Sequence, residues 1–216
     1  MRENIWSVDT CTCTLVNVKA VTRERNPRGQ GERLRSDLVE AAVDLIAENR
    51  SIDGVSLRGA AKRAGVSPMA VYNHFEDKDA LVEAAIQQCW NDFQVVIAEA
   101  LEVDDPVARL RAAGDAYVRF GLAKPGQYAV MFTGGQTLPP HLVGIGLSSF
   151  DVLVQMVQDI LDLNGDDRDA LFVAAEVHTW IHGIVLLDGC VPNQVDWPST
   201  DRLLDELMTR LGLTST

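Results

Sequence analysis

Val55-Ser56-Leu57-Arg58-Gly59-Ala60-Ala61-Lys62-Arg63-Ala64-Gly65-Val66-Ser67-Pro68-Met69-Ala70-Val71-Tyr72-Asn73-His74-Phe75 encodes two short helices and the turn that joins them. Ser56 offers a side-chain oxygen to cap a helix whose inner face is Leu57, Ala60, Ala61 and Ala64. Gly65 supplies the left-handed backbone that ends a helix, Ser67 caps the next one, and Pro68 brings the pre-set φ favoured at a first helical position. The spacing predicts a helix over about 68–75. Small residues on the first helix permit close packing, and a short capped second helix suits a helix-turn-helix, whose second helix enters a groove of DNA.

Outward from this core, Leu34, Leu38, Ala41, Ala42, Leu45 and Ile46 recur at the spacing of one buried helical face, predicting a helix over about 34–49. On the other side, Asp77 and Asp79 place negative charge at the positive end of a further helix. Its stripe runs through Leu81, Val82, Ala85, Ile86, Cys89, Phe93, Val96, Ile97 and Ala100, long enough to connect two domains. Helices are expected over about 107–122, 127–132, 140–163, 167–187 and 199–211, with breaks at Pro125-Gly126, Gly134-Gly135, Asn164-Gly165-Asp166 and 189–198. No strand-like alternation occurs. The expected fold is all-α: an N-terminal three-helix helix-turn-helix domain over 31–78 and a larger helical ligand-binding and dimerisation domain over 79–216.

Residues 1–30 show no sustained helical period and read as a flexible arm, which leaves open a translation start at Val18 or Val21. They lack the basic start, apolar stretch and cleavage site of an export signal, and no run of 18 apolar residues is present, so a cytoplasmic protein without a membrane span is expected. Of the four cysteines, at 11, 13, 89 and 190, only the first two are close; free thiols are expected rather than a metal site.

The net charge of −12 hides an asymmetry. Residues 1–78 carry twelve Lys and Arg against eleven Asp and Glu, whereas 79–216 carry seven against twenty. Phosphate would repel the second part, which points to tasks other than DNA binding.

The order Val55-Ser56-Leu57-Arg58, Ala61-Lys62-Arg63-Ala64-Gly65-Val66-Ser67, Val71-Tyr72-Asn73-His74-Phe75, Lys78 and Leu81 resembles the signature of TetR-family transcriptional regulators over roughly residues 36–85. Gly59 and Ala60 depart from it, standing where that family usually has a polar residue and a bulky aliphatic one. The resemblance implies a homodimer, most often a repressor, that sets two recognition helices into a double-stranded, palindromic operator and is released by a small-molecule effector. Ser56 and Ser67 are then candidates for placing backbone N–H groups on phosphates, with capping alone as the alternative. Arg58, Tyr72, His74 and Lys78 are phosphate-contact candidates, with a solvated surface as the alternative. Met69, Ala70 and Asn73 fall on the outer face, where Asn pairs with adenine and small apolar groups meet a thymine methyl. Val71, Phe75, Leu57 and Ala61 belong to the core. Arg25, Arg28 and Arg33 suit either a minor groove or solvent.

In the C-terminal half, Tyr128-Ala129-Val130-Met131-Phe132 and His178-Thr179-Trp180-Ile181-His182-Gly183 resemble the WHG-type C-terminal domain of one branch of the family. That branch usually has Trp four residues before the His-Gly pair, where this chain has His178. The resemblance makes Met131, Phe132, His178 and His182 candidates for a ligand pocket, with core packing as the alternative. Ile184, Val185, Leu187, Leu203, Leu204, Leu207 and Leu211 suit either a four-helix dimer interface or intramolecular core. The competing enzymatic reading places a metal on His178 and His182, four apart on one helix, with Glu176 or Asp115. No H-E-x-x-H, nucleophile elbow, dinucleotide fingerprint or P-loop is present, so catalytic residues, resident metals and cofactors are not expected.

Overall fold

Five of the helices begin where a polar side chain holds a free backbone N–H. In the computed structural model, which describes residues 31–133, 140–188 and 196–213, α1 spans Gly31–Asn49, α2 Leu57–Arg63, α3 Pro68–Val71 and α4 Lys78–Leu101. They are followed by α5 Pro106–Ala123, α6 Pro125–Thr133, α7 Pro140–Asn164, α8 Ala170–Asp188 and α9 Thr200–Arg210. Ser56, Ser67, Asp77, Asp105 and Ser199 cap α2, α3, α4, α5 and α9, each accepting from the backbone N–H three residues on. No strand occurs among the described residues, and the fold is all-α. The arm over 1–30, with Arg25, Arg28, Cys11 and Cys13, lies outside the described residues, as do Cys190 and most of the 189–198 loop.

Three expected boundaries shift. A 3-10 turn at Ile52–Gly54, capped by Ser51, fills the break after α1. The third helix stops at Val71 rather than near 75: the His74 N–H reaches the Val71 carbonyl at 2.9 Å, tightening the backbone into a turn that drives Phe75 into the core. Pro125-Gly126 opens α6 instead of breaking the chain, because Lys124 ends α5 and a proline lacking its N–H costs nothing in a first turn.

The 24 residues of α4 extend about 36 Å at 1.5 Å per residue. That helix packs on α1 at one side and on α5, α6 and α7 at the other, while α5 sits among α4, α6, α7, α8 and α9. α1 buries a wider face than its expected stripe, adding Val39 and Val43, because α2, α4 and α6 all lie against it. The Arg63 guanidinium joins the end of α2 to Glu48 and Asp44 of α1. Residue 78, the expected domain boundary, is the first residue of α4, and the described chain from Gly31 onward packs as one unit.

By length and composition α8 could cross a membrane. Instead it is a core helix, packed on α5, α7 and α9 with Val173, Ala174, Val177, Ile181 and Ile184 buried. α9 packs on α5 and α8, and Leu204 and Leu207 are buried there. Ile184, Val185, Leu204 and Leu207 are therefore intramolecular core, while Leu187 remains exposed.

Two glycines are dictated by geometry. Gly65 holds φ at +69 in the turn between α2 and α3. At Gly126 a Cβ would lie 2.4 Å from the carbonyl oxygen of Ala47 in α1, so α6 meets α1 backbone to backbone. Gly126→Ala is expected to lower unfolding free energy by about 1–3 kcal/mol through overpacking, and Gly65→Ala by about 1 kcal/mol through backbone strain. Urea denaturation of the two variants checks both.

Candidate nucleic-acid interface and ligand cavity

α3 presents one face outward and one inward. Val71 and Phe75 are buried, as is Ala61, and Leu57 packs partly against the same core. Opposite them Met69 is 73% exposed and Tyr72 58%, with Asn73 exposed and Ala70 half-buried. Large side chains so exposed on a four-residue helix serve no packing purpose, which makes this the face available to a partner.

Ser56 and Ser67 are exposed and occupied as caps, accepting from Gly59 N–H at 3.0 Å and Ala70 N–H at 3.3 Å. Arg58 is exposed, and Lys78 sits half-buried at the start of α4. His74 is half-buried too, its ring beside Gly31 at the beginning of α1, and Arg35 lies 5.1 Å over the Phe75 ring. Sequence reasoning missed Arg35, which the α1 helix brings to the end of the recognition segment. Its signal was weak, since one arginine on a polar helix face has no periodic signature.

In the second half, aromatic rings converge from four helices. Phe93 of α4 meets Trp90, Tyr117, Phe120 and Phe132 edge-on, with centroids 5.2–5.9 Å apart. Beside this cluster α4, α5, α6, α7 and α8 line a mainly apolar cavity of about 320 Å³. Trp90, Tyr117, Phe132, Phe150, Met156 and His178 are among its walls, and the exposed Gln94 and Ser148 stand on its rim.

Two of the four expected pocket residues, Phe132 and His178, line this cavity. Met131 does not: α6 turns it into the core, where it is 5% exposed. His182, one helical turn beyond His178, also lies outside the lining. Its Nδ1 makes a short hydrogen bond with the Tyr128 hydroxyl and lies 3.3 Å from that of Tyr117, and the two hydroxyls are 2.9 Å apart. Tyr128 donating to Nδ1 and Tyr117 donating to Tyr128 satisfies all three groups with a neutral imidazole. Trp90, Tyr117 and Phe150 were absent from the expected set. Trp90 could have been found, since it follows Ile86 by four residues and precedes Phe93 by three on one face of α4.

Burial sets the protonation of this cluster. It holds both histidines below their ordinary value, reinforced at His178 by the neighbouring His182. It raises the Tyr117 hydroxyl, aided by Tyr128, and pushes Tyr128 up to about 12. The His178 and His182 rings stack at 5.7 Å, and among the described residues no third His, Cys, Asp or Glu joins them in a metal-binding group. Asp115 is paired with Arg119 at 2.7 Å, and Glu176 is exposed. The described residues thus offer the metalloenzyme reading no ligand set.

A family model described as bacterial regulatory proteins, tetR family, matches residues 38–85, and one described as tetracyclin repressor-like, C-terminal domain, matches 110–211. Together they span well over half of the chain, which belongs to the TetR family of transcriptional regulators and is not an enzyme. The chain is 27% identical over 153 residues to the HTH-type transcriptional regulator YobS of Bacillus subtilis (strain 168), spanning 69% of this chain and 76% of YobS. A protein of unknown function from Rhodococcus sp. RHA1 superposes with a TM-score of 0.70 at 27% identity, covering 88% of this chain and 96% of its own. AibR, solved in complex with isovaleryl coenzyme A and operator DNA, shares the fold with a TM-score of 0.61 at 17% identity, over 83% of this chain and 97% of its own.

The histidines make stability pH-dependent. With folded values below 6.5, the unfolded chain binds more protons as pH falls past 6.5, so their contribution is present above that pH and lost below it, down to the lowered folded values. The melting temperature is expected to drop between about pH 7.5 and about pH 5.5. His178→Phe, which keeps an aromatic ring in the cluster, is expected to flatten the drop in a pH series of thermal melts.

Proposed function

We propose that this chain is a cytoplasmic, homodimeric repressor that binds a palindromic operator through α2 and α3 and leaves it when a small molecule occupies the cavity between α4, α5, α6, α7 and α8. The observation that carries this reading is the cavity itself, two of whose walls, α4 and α6, pack on α1, which in turn packs on α2 of the helix-turn-helix. α4 lends it Trp90 and Phe93, and α6 lends it Phe132 while pressing Gly126 onto Ala47 of α1. Filling the chamber displaces α4 or α6, and α1 cannot absorb that displacement where two backbones touch. Because the recognition helices must match half-sites about 34–36 Å apart, a small rotation suffices to lose the operator. A few kcal/mol of differential affinity between the two conformations empties it. AibR, with an acyl-CoA and operator DNA in one complex, joins the same two binding activities on this fold.

Dimerisation is assigned to α8 and the adjoining part of α7. Phe172, Glu176, Thr179 and Leu186 recur on one exposed side of α8, and Phe172 is 66% exposed. Leu163 of α7 adds an apolar side chain that is 61% exposed. Apolar exposure on this scale suits burial by a second copy.

Footprinting on the DNA upstream of the coding gene tests the reading at a stated salt concentration. Two-fold-symmetric protection is expected, and protection of no upstream or genomic fragment would refute it. Lys78→Ala is expected to weaken operator binding roughly tenfold on every sequence and to lower the salt-dependence slope by about 1, as loss of one phosphate contact does. Asn73→Ala is expected to cost about 1–3 kcal/mol on the operator alone, relaxing specificity at one position. Phe172→Glu is expected to yield monomers in sedimentation velocity runs while helical content stays intact.

A further inference from the structure

The DNA-binding half has few cations to spare, so where each one stands matters. Residues 31–78 contain seven: Arg33, Arg35, Arg50, Arg58, Lys62, Arg63 and Lys78. Among the described residues only Arg63 is committed to ion pairs, with Glu48 and Asp44. Two of the remaining six, Arg33 and Arg35, lie in the first two turns of α1, outside the helix-turn-helix itself.

Arg35 is held in an unusual way for an exposed cation. Its guanidinium stands 5.1 Å over the ring of Phe75, the buried residue that closes the recognition segment. Contact through the flat face of a guanidinium leaves the N–H groups around its edge free to donate. Among the described residues Arg35 has no hydrogen bond or ion pair, although Glu32 stands one turn earlier and Glu76 follows Phe75 directly. Arg63 shows the contrary arrangement, its donors spent on carboxylates of the neighbouring helix.

The surroundings repeat the sign of charge. The His74 ring lies within contact distance of Gly31, so the end of the recognition segment meets the beginning of α1. The sequence that runs into α1, residues 23–35, holds five Arg against two Glu. A helix set into the major groove has a phosphate backbone bordering it on each side, and the groove is only about 12 Å wide. A guanidinium fixed at the end of the recognition segment is therefore placed beside one of these borders.

We infer that Arg35 is a further positioning residue for DNA, donating to a backbone phosphate at the edge of the major groove while the Phe75 ring holds its guanidinium in place. The interface thereby extends from α2 and α3 to α1, and the inference rests on the reading of α2 and α3 as the DNA-binding element. A phosphate contact of this kind sets register and affinity and carries no sequence information.

Fluorescence anisotropy on the full chain tests this, with a labelled operator duplex and a scrambled duplex of equal length, each over a series of salt concentrations. Arg35→Gln is expected to weaken both duplexes by the same factor, about three- to tenfold, and to make the salt-dependence slope shallower by about 1. Arg35→Lys is expected to restore the slope and only part of the affinity, because an ammonium lacks the planar fork. Arg202→Gln, which removes the same charge from the exposed face of α9, is expected to leave affinity and slope unchanged. The melting temperature of Arg35→Gln is expected to fall by no more than about 4 °C.

Unchanged DNA binding in Arg35→Gln beside a lower melting temperature overturns the inference and leaves the guanidinium as a cover for Phe75. Equal losses in Arg202→Gln overturn it in favour of net charge, and a loss confined to the operator overturns it in favour of base reading. If no operator is found, the scrambled duplex alone carries the measurement. A shallower slope there retains the phosphate contact while operator-specific repression fails, so the two failures are distinguishable. Absence of wild-type binding to any duplex overturns both.

Discussion

Where α6 crosses α1, the ideal Cβ position at Gly126 falls within 2.4–2.8 Å of three backbone atoms of Ala47. A contact made of backbone on both sides has no rotamers to adjust and so transmits displacement rather than absorbing it. The α1 helix meeting it is also packed on α2 and tied to it through Arg63, Glu48 and Asp44. Four residues after Gly126 begins the Val130-Met131-Phe132 stretch, whose last member is a wall of the cavity. The distance from chamber to recognition segment is thus covered by helices in direct contact.

α4 supplies the second physical link. Asp77 caps it just after the recognition segment, and Trp90 and Phe93 project from its middle into the aromatic cluster. Capping at one end and ring packing further along constrain a single helix whose hydrogen-bonded backbone resists local bending. The acidic C-terminal half fits this division of labour. Three of its seven cations join helices or loops, as Arg109 joins the α4–α5 loop to α7, Arg111 joins α5 to α9 and Lys124 joins the end of α5 to α4, and none of the seven lines the chamber.

The expected stripes on α1, α2 and α4, and the caps at Ser56, Ser67 and Asp77, were legible because capping and amphipathic spacing act over three or four residues. The length of α3 was not, since the burial of Phe75 competes with helix continuation and only the packed core decides between them. Pro125-Gly126 illustrates the same limit. As a dipeptide it signals a break, yet its placement after Lys124 and against Ala47 makes it a helix start and a contact point.

Within the chamber, sequence similarity drew attention to Phe132 and His178, both of which line it, but also to Met131 and His182, which do not. Adjacent residues on a helix point about 100° apart, so Phe132 and Met131 cannot share a wall, and the packing of α6 selects which one faces the cavity. The amino-acid sequence by itself determined an all-α chain with a capped helix-turn-helix and a charge asymmetry between its halves. Only the tertiary structure decided which aromatic faces meet, which tyrosine hydroxyls His182 receives and that the buried Trp90 Nε1–H has no hydrogen-bond partner among the described residues, because these depend on side chains brought together from helices far apart in the chain.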